Sequence, residues 1–302
     1  MSKIERKFEL MRIKRALIDF NALCFGVIYG QVLKDENLYT DEDRMTYFNY
    51  ATINKLAMIQ KKLQVNEIVI CCEGRSWRRN YFPYYKANRD ISKAEKPVET
   101  KFVYDSINGV LDIIRNLNYK VMKVEGCEAD DIIAVLCQTF VNDEIVIVSH
   151  DKDFQQLTSD NVKLYNYSKD EVLNCEDKDR FIIEMIMKGD TADGIPNVLS
   201  DDDTFVVKEK RQKPMTKKKI NEILEMGIDN YARNDLQFAK NYDRNRKLIL
   251  LDESTIPPEL YSTIKATYSN ITQNFKRKNI GELNQVLRKY GITMMDNINY
   301  LV

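Results

Sequence analysis

The chain has 302 residues, with 46 basic and 46 acidic side chains, so its formal net charge is 46 − 46 = 0. That length predicts about two domains, and the balanced charge gives the whole molecule no net field that would attract DNA or a membrane. Ten glycines and a single histidine, His150, argue against a glycine-rich nucleotide cradle, a histidine metal site and a Ser-His-Asp hydrolase. Catalysis, if present, must depend on carboxylates, lysines, arginines or thiols.

The first half of the chain alternates short apolar runs with helical patterns, which is typical of a parallel sheet with helices on its faces. The predicted strands are residues 16–20, 67–72, 119–124, 144–149 and 162–167. We therefore predict an α/β domain, with a twisted and mainly parallel sheet, over residues 1–175.

Beyond residue 175 only helical patterns remain. The predicted helices are residues 178–188, 216–226, 231–251, 258–268 and 280–290. We predict an all-helical second domain over residues 176–302. The six cysteines form no C-x-x-C pair, so we expect buried, reduced thiols rather than a zinc or redox site. No signal peptide or membrane span is apparent, which predicts a cytoplasmic protein.

The zero net charge is a sum of opposed blocks. Residues 75–101 carry eight basic and three acidic side chains, and residues 205–219 carry seven and one, whereas residues 125–153 carry eight acids and one base. Residues 90–100 lack an apolar face, which predicts disorder without nucleic acid.

Acidic side chains stand where the predicted strands end. Asp19 ends the first strand and Glu73 follows the second. Further acids follow the third and fourth strands or lie in Gly-Asp-Thr-Ala-Asp-Gly-Ile-Pro: Glu128, Asp130, Asp131, Asp151, Asp153, Asp190 and Asp193. The carboxyl ends of parallel strands meet at one edge of a sheet, so these side chains should converge. Each alone is equally explained as a helix cap or a turn residue.

Taken together, the acids favour a cation site. Carboxylates gathered at one edge repel one another unless cations neutralise them. Oxygen ligands without histidine or cysteine are typical of Mg²⁺ or Mn²⁺. Two such ions about 4 Å apart would stabilise the attacking and leaving oxygens of a phosphodiester.

Several motifs in register resemble the structure-specific 5′ nucleases, the family of flap endonucleases and of the 5′→3′ exonucleases of phages and bacterial polymerases. They are Leu-Ile-Asp-Phe, Tyr-Tyr-Lys-Ala-Asn-Arg, Glu-Ala-Asp-Asp, Ser-His-Asp-Lys-Asp-Phe and Gly-Asp-Thr-Ala-Asp-Gly-Ile-Pro. Trp77-Arg78-Arg79 and the divergent stretch after Asp193 look most like the phage ribonuclease H branch of this family. The resemblance covers nearly the whole chain.

The resemblance implies two Mg²⁺ ions, for which Mn²⁺ can substitute. It assigns Asp19, Glu73, Glu128 and Asp130 to the first ion, and Asp151, Asp153 and Asp190 to the second, with Asp193 acting through water. Asp131 is assigned a supporting role. Glu73 stands where the family usually has Asp, so its longer side chain implies a shifted geometry.

The basic block at 75–101 corresponds to the arch of the family. Lys86 and Arg89 match the catalytic positions that contact the scissile phosphate, and Tyr85 would stack on the terminal base. Independently of the family, basic and aromatic residues interleave here as on surfaces that bind single strands, including Arg75, Arg78 and Arg79. The alternative is a solvated charged helix whose aromatic rings pack in the core.

The resemblance breaks after Asp193. The family's Gly-Ile-Gly hairpin, which binds potassium and a duplex phosphate, is replaced by Leu-Ser-Asp-Asp-Asp-Thr-Phe, so potassium binding is not expected. Duplex contact is assigned instead to Lys208, Lys210, Arg211, Lys213, Lys217, Lys218 and Lys219. The alternative for this run is a solvated helix face.

The resemblance implies a metal-dependent 5′→3′ exonuclease and 5′-flap endonuclease that removes RNA primers and adjacent DNA during replication. The expected substrate is duplex DNA or an RNA-DNA hybrid with a 5′ end, flap or fork. A single-stranded-DNA-binding protein and a sliding clamp are the implied partners of a monomer in the host cytoplasm. A PIN-type single-strand ribonuclease and a non-catalytic protein that binds branched DNA remain as alternatives.

Overall fold

The computed structural model describes residues 13–293, 295 and 297–301; the extreme N-terminal residues, in which no signal peptide was seen, lie outside this part. The strands are Arg15–Asp19 (β1), Glu67–Cys71 (β2), Lys120–Met122 (β3), Ile145–Val148 (β4), Val162–Asn166 (β5) and Glu171–Leu173 (β6). They form one sheet in the order β3-β2-β1-β4-β5-β6. Pairing is parallel except between β5 and β6. The mainly parallel sheet is confirmed, and β6 is an addition that the sequence patterns did not indicate.

The helices begin and end as follows: Phe20–Gly30 (α1), Asp41–Leu63 (α2), Arg78–Tyr81 (α3), Ala87–Glu95 (α4), Pro97–Ile114 (α5), Ala129–Thr139 (α6), Lys178–Lys188 (α7), Lys217–Met226 (α8), Ile228–Asn234 (α9), Leu236–Ile249 (α10), Pro258–Asn274 (α11) and Ile280–Lys289 (α12). Short 3₁₀ turns occupy Val32–Lys34, Lys152–Leu157 and Ile298–Tyr300. Among the described residues, no helix combines the length and the apolar character that a bilayer span requires.

The chain folds into two compact units whose boundaries differ from the division predicted at residue 175. The first unit contains the sheet, residues 98–174 and the chain from 259 onward; the second contains residues 76–97 and 175–258. The C-terminal helices belong to the same unit as the sheet because their apolar side chains are buried against it. Leu283 and Leu287 of α12 are buried in the same cluster as Ile18 and Phe48.

The core of the first unit follows directly from its strand sequences. Every residue of β1 and of β4 is buried, as expected for central strands covered by helices on both faces. The cysteines agree with the prediction of buried thiols: five of the six are buried and none forms a disulfide in the described part of the chain, Cys175 being partly exposed.

The second unit corrects two sequence-based expectations. The predicted helix 231–251 is broken, because the Asp235 carboxylate accepts a hydrogen bond from Phe238 N–H (2.9 Å) and so starts a new helix, α10. Residues 90–100, predicted to be disordered, lie in α4 and at the start of α5. No residue of α4 is buried, so this segment lacks an apolar face, as the sequence indicated, although it does form a helix.

Candidate active site

The carboxyl ends of the strands in the first unit gather the acids that the sequence placed there. We name Asp19, Glu73, Glu128, Asp130 and Asp151 the carboxylate cluster. Asp19 ends β1, and β2 and β4 lie on either side of it in the sheet. Removal from water raises the pKa of Asp130 well above its usual range, and the negative charges of the other four members raise it further. The other four carboxylates are therefore close enough to Asp130 to destabilise its ionised form.

Asp19 is held in place by short polar contacts. Its Oδ1 accepts from Ala22 N–H (3.2 Å), which caps α1, and its Oδ2 accepts from Ser149 O–H (2.8 Å). The side chain is only 6% exposed. Burial raises the pKa of Asp19; these two hydrogen bonds oppose the rise and the charge of Asp151 adds to it. Ser149 is a residue that sequence reasoning missed, although its position directly after β4 would have indicated it.

Glu128 and Asp131 form a reciprocal cap at the start of α6. Glu128 N–H donates to Asp131 Oδ2 (2.9 Å), and the Glu128 side chain accepts from the backbone N–H of Asp131. Asp131 is fully buried. This contact fixes the backbone that carries Glu128 and Asp130, and the supporting role of Asp131 in the site stays a prediction.

Gly74 brings the end of β2 against the loop before α6. Its N–H donates to the carbonyl of Cys127 (2.8 Å), and a Cβ at this position would lie 2.6 Å from the carbonyl oxygens of Cys127 and Val124. Only glycine allows so close an approach. The contact places Glu73, the preceding residue, beside the start of α6.

Asp151 and Asp153 lie in the turn after β4. Asp151 Oδ1 accepts from Asp153 N–H (2.9 Å), and Asp151 N–H donates to Ser149 Oγ (3.0 Å). His150 is exposed, and its Nδ1 lies 3.3 Å from the Tyr167 hydroxyl rather than against a carboxylate. Within the described residues His150 makes no hydrogen bond with a carboxylate, although its charge acts on Asp19.

The carboxylate cluster matches a hard divalent cation in charge and ligand type. It supplies oxygen ligands without histidine or cysteine, and its mutual repulsion is relieved by positive charge. In the described part of the chain, no three Asp, Glu, His or Cys side chains lie close enough together to hold a metal ion. Repelling carboxylates are expected to stay apart until a cation draws them together.

Asp190 and Asp193 belong to the second unit and face different surroundings. Asp190 and Ile195 exchange two backbone hydrogen bonds (2.9 and 2.7 Å), which close a tight turn. Asp190 Oδ1 accepts from Ala192 N–H (2.8 Å). Burial raises the pKa of Asp190, and the charge of Asp193 raises it further, while Arg89 and the turn N–H groups act in the opposite direction.

Asp193 is the centre of a second group, which we name the Asp193 cluster: Tyr85, Lys86, Arg89 and Asp193. The Tyr85 hydroxyl donates to Asp193 Oδ2 (2.9 Å), Lys86 Nζ lies 3.7 Å from the same oxygen, and Arg89 forms an ion pair with Oδ1. Lys86 N–H also donates to the Asp193 carbonyl (2.7 Å). Lys86 and Arg89, the two side chains predicted to contact phosphate, are thus paired with a predicted metal ligand. Direct binding of a metal ion by Asp193 would require these contacts to break.

Two residues of the predicted nucleic-acid surface are buried instead. Arg78 is 2% exposed and its Nε donates to the Leu248 carbonyl (2.7 Å), so it braces the second unit. Tyr85 is 3% exposed and bound to Asp193, so it is not available to stack on a base in this structure. Trp77 and Phe82 are also buried, which favours the core interpretation for these rings, whereas Tyr81 and Tyr84 are exposed.

The remaining basic residues of the predicted surface are accessible. Arg75 is exposed, and Arg79 makes two contacts with Asp90 (2.7 and 3.2 Å). Lys210 Nζ contacts Asp201 and Asp203 (3.1 and 2.6 Å) in the stretch that replaces the family's hairpin. The other predicted contact residues are mostly exposed around the start of α8: Lys208, Arg211, Lys213, Lys217, Lys218 and Lys219. Their role in binding stays a prediction.

Comparison with known proteins places these features in a family. The model of the 5′-3′ exonuclease, N-terminal resolvase-like domain, matches residues 14–184. Ribonuclease H of Enterobacteria phage T4 is 27% identical over 292 residues, 93% of this chain and 93% of the phage protein. A 5′-3′ exonuclease of Buchnera aphidicola is 27% identical over 184 residues, and the match spans 57% of this chain and 62% of that protein.

Solved structures agree on the fold. The flap endonuclease of bacteriophage T5, crystallised with DNA and metal ions, superposes with a TM-score of 0.66 at 16% identity, covering 86% of this chain and 100% of that one. Since the family model alone matches more than half of this chain, the chain belongs to the 5′-3′ exonuclease family and is a nuclease.

Proposed function

We propose that this nuclease is a Mg²⁺-dependent 5′→3′ exonuclease and 5′-flap endonuclease that removes RNA and adjacent DNA from duplexes during DNA replication. The observation that carries the proposal is the carboxylate cluster at the carboxyl ends of the strands. Burial raises the pKa of Asp130 and the charges of the other four members raise it further, and shifts of this kind cluster at functional sites.

The residues divide into cation ligands and phosphate contacts. Asp19, Glu73, Glu128 and Asp130 would hold one cation, and Asp151 and Asp153 would hold the other. A pair of bound cations would supply positive charge to the attacking and leaving oxygens of an in-line displacement. Ser149 keeps Asp19 oriented through its hydrogen bond of 2.8 Å.

Lys86 and Arg89 bind the scissile phosphate and stabilise the charge that develops on it. Their contacts with Asp193 support this role, because they show that both cationic side chains reach a single anionic group. A phosphate oxygen would take the place of the Asp193 carboxylate. The exposed basic side chains around α8 bind the duplex backbone, with an affinity that falls as salt rises.

The test is a product map on an end-labelled 5′-flap duplex with either an RNA or a DNA 5′ strand. We expect cleavage near the junction or from the 5′ end in Mg²⁺, and loss of that cleavage in Asp151→Asn. The control is Asp160→Asn, an exposed aspartate that precedes β5 at the opposite end of the strands.

Unchanged cleavage by Asp151→Asn would contradict the proposal. Cleavage of unpaired RNA in preference to the flap would favour a PIN-type ribonuclease. Tight flap binding without turnover in Mg²⁺ or Mn²⁺ would favour a protein that only binds branched DNA.

A further inference from the structure

A groove in the first unit lies beside β3 and combines an apolar floor with a basic rim. Its volume is about 450 Å³. Leu117, Val121, Ile271 and Phe275 contribute apolar surface. The charged side chains among its lining residues are all basic: Arg115, Lys276 and Lys278. We name it the β3 groove.

The segment that carries the two lysines is fixed to the sheet unit. Asn118 Nδ2 donates to the Lys278 carbonyl (2.9 Å), and Lys278 N–H donates to Asn118 Oδ1 (2.8 Å). Arg277 donates to the Asn66 carbonyl (2.6 Å). Because the Lys278 backbone and the Arg277 side chain are both held, the rim is formed in advance and a ligand need not order it.

Some polar side chains of the β3 groove have no hydrogen-bond or ion-pair partner among the described residues. The buried hydroxyl of Tyr119, a lining residue, has no hydrogen-bond partner in the described part of the chain. Arg115 forms an ion pair with Asp112 (2.7 Å), but within the described residues no carboxylate lies within ion-pair distance of Lys276 or Lys278. Lys276 and Lys278 therefore give the rim positive charge that no ion pair within the described residues neutralises.

The groove is distant along the strands from the carboxylate cluster. Tyr119 precedes β3, whereas Asp19 and Glu73 stand at the carboxyl ends of β1 and β2. These strands are parallel, so the two sites lie towards opposite ends of the sheet. β3 is also the terminal strand, paired with β2 on one side only among the described strands. A ligand here can use that edge without blocking the cluster.

We propose that the β3 groove docks an acidic peptide segment of a partner protein that carries an apolar anchor side chain. The lysines attract the acidic residues, the floor takes the anchor, and the edge of β3 offers hydrogen bonds to an extended main chain. Nucleic acid fits less well, because a phosphate backbone gains nothing from an aliphatic floor. The Phe275 ring is also approached by Lys120 Nζ, 5.9 Å from its centroid, which leaves less of it for a base.

A second groove in the same unit has the opposite charge. It measures about 710 Å³ and is lined by Glu42, Asp43 and several tyrosines. An acidic peptide is repelled there, so binding that depends on basic side chains reports on the β3 groove.

The experiment measures the fluorescence anisotropy of a labelled peptide, a run of aspartates followed by one phenylalanine, with the full chain. We expect saturable binding that weakens with salt, and a loss of about tenfold or more in affinity for the double variant Lys276→Glu, Lys278→Glu. Lys265→Glu, an exposed residue on α11 outside the groove, makes the same charge change singly and should leave the affinity unchanged.

Two readouts keep the result decisive. Replacing the peptide's phenylalanine by serine should weaken binding to the wild-type chain and leave the residual binding of the double variant unaffected. The double variant should melt like the wild type and cleave a flap duplex normally. Unchanged peptide affinity in the double variant would overturn the proposal. So would a loss of affinity for a single-stranded oligonucleotide without a loss for the peptide, which would assign the surface to nucleic acid.

Discussion

At the amino end of the sheet the partly buried carboxylates of Glu67 and Asp143 are paired with cationic side chains, whereas at the carboxyl end Asp130 lies beside other acids. Glu67, which begins β2, receives Arg15 Nε (2.8 Å) and Lys120 Nζ (2.7 Å). Asp143 pairs with Lys14 (2.6 Å) and with Arg15. Asp19 and Asp130, by contrast, accept hydrogen bonds or lie beside other acids, and the pKa of each is raised.

The contrast arises within single strands. β1 begins at Arg15 and ends at Asp19, so the same short strand carries a neutralised end and an end of unbalanced negative charge. Arg15 also lies 3.8 Å from the centre of the Phe140 ring and donates to the Tyr268 hydroxyl (3.1 Å). The amino end thus attaches α11 to the sheet and serves stability, while the carboxyl end carries the acids that we propose as cation ligands.

The largest expected effect is on cleavage by Asp130→Asn. This change removes one carboxylate from the cluster and should lower the cleavage rate in Mg²⁺ by at least about 100-fold, since metal-ion catalysis supplies several kcal/mol. A gel assay on the flap duplex measures it, with Asp160→Asn as the control for the loss of one charge. A rate within a few-fold of the wild type would show that Asp130 does not serve the cations.

The next effect is on stability, through Glu67→Gln at the paired end. Burial opposes ionisation of Glu67, but hydrogen bonds from Lys120 and Tyr268 and the charges of Lys120 and Arg15 prevail and lower its pKa. The ionised carboxylate therefore stabilises the fold at pH values above the ordinary value of 4.5, and this stabilisation disappears as the pH falls through the lowered pKa.

Glu67→Gln should accordingly cost about 2 kcal/mol near neutral pH, the worth of a charged hydrogen bond, and little in acid. Denaturant unfolding of both proteins across this pH range measures the difference. Glu125→Gln, an exposed change in the same unit, is the control. A cost that stays constant down to acid pH would show that the pairing contributes nothing electrostatic.

The smallest expected effect distinguishes a residue that supports the proposed cation ligands from a ligand itself. Asp131→Asn weakens the reciprocal cap with Glu128 and should reduce cleavage about tenfold, mainly by raising the Mg²⁺ concentration needed for half-maximal rate. Asp43→Asn alters the same kind of cap in α2, where Thr40 N–H donates to Asp43 Oδ2 (3.2 Å), and should leave that concentration unchanged. Equal behaviour of the two variants would reduce Asp131 to an ordinary helix cap.

The sequence predicted the carboxyl end well because its signals are local. Each predicted parallel strand exists, and Asp19, Glu73 and Asp151 follow β1, β2 and β4 as expected. Parallel pairing then brings these positions together without further information. Glu128 and Asp130 were found for the same reason, since they open the helix after β3.

The amino end and the second unit were not predictable in this way. Tyr268 meets Arg15 and Glu67 across 253 and 201 residues of sequence, and no local pattern signals such contacts. The burial of Arg78 depends likewise on the carbonyl of Leu248, 170 residues away. The cluster around Asp193 joins two motifs that the sequence analysis had assigned to different roles, a phosphate contact and a metal ligand.

The most direct test is thermal unfolding of the wild type and of Asp130→Asn, each in EDTA and in increasing Mg²⁺. It asks whether the carboxylates at the carboxyl end of the sheet repel one another until cations bind. We expect the wild type to melt below the variant in EDTA and to gain about 2.7 kcal/mol at a hundredfold excess of Mg²⁺ over its dissociation constant, while the variant gains little. Equal melting of the wild type with and without Mg²⁺, or a variant that is less stable than the wild type in EDTA, would contradict it.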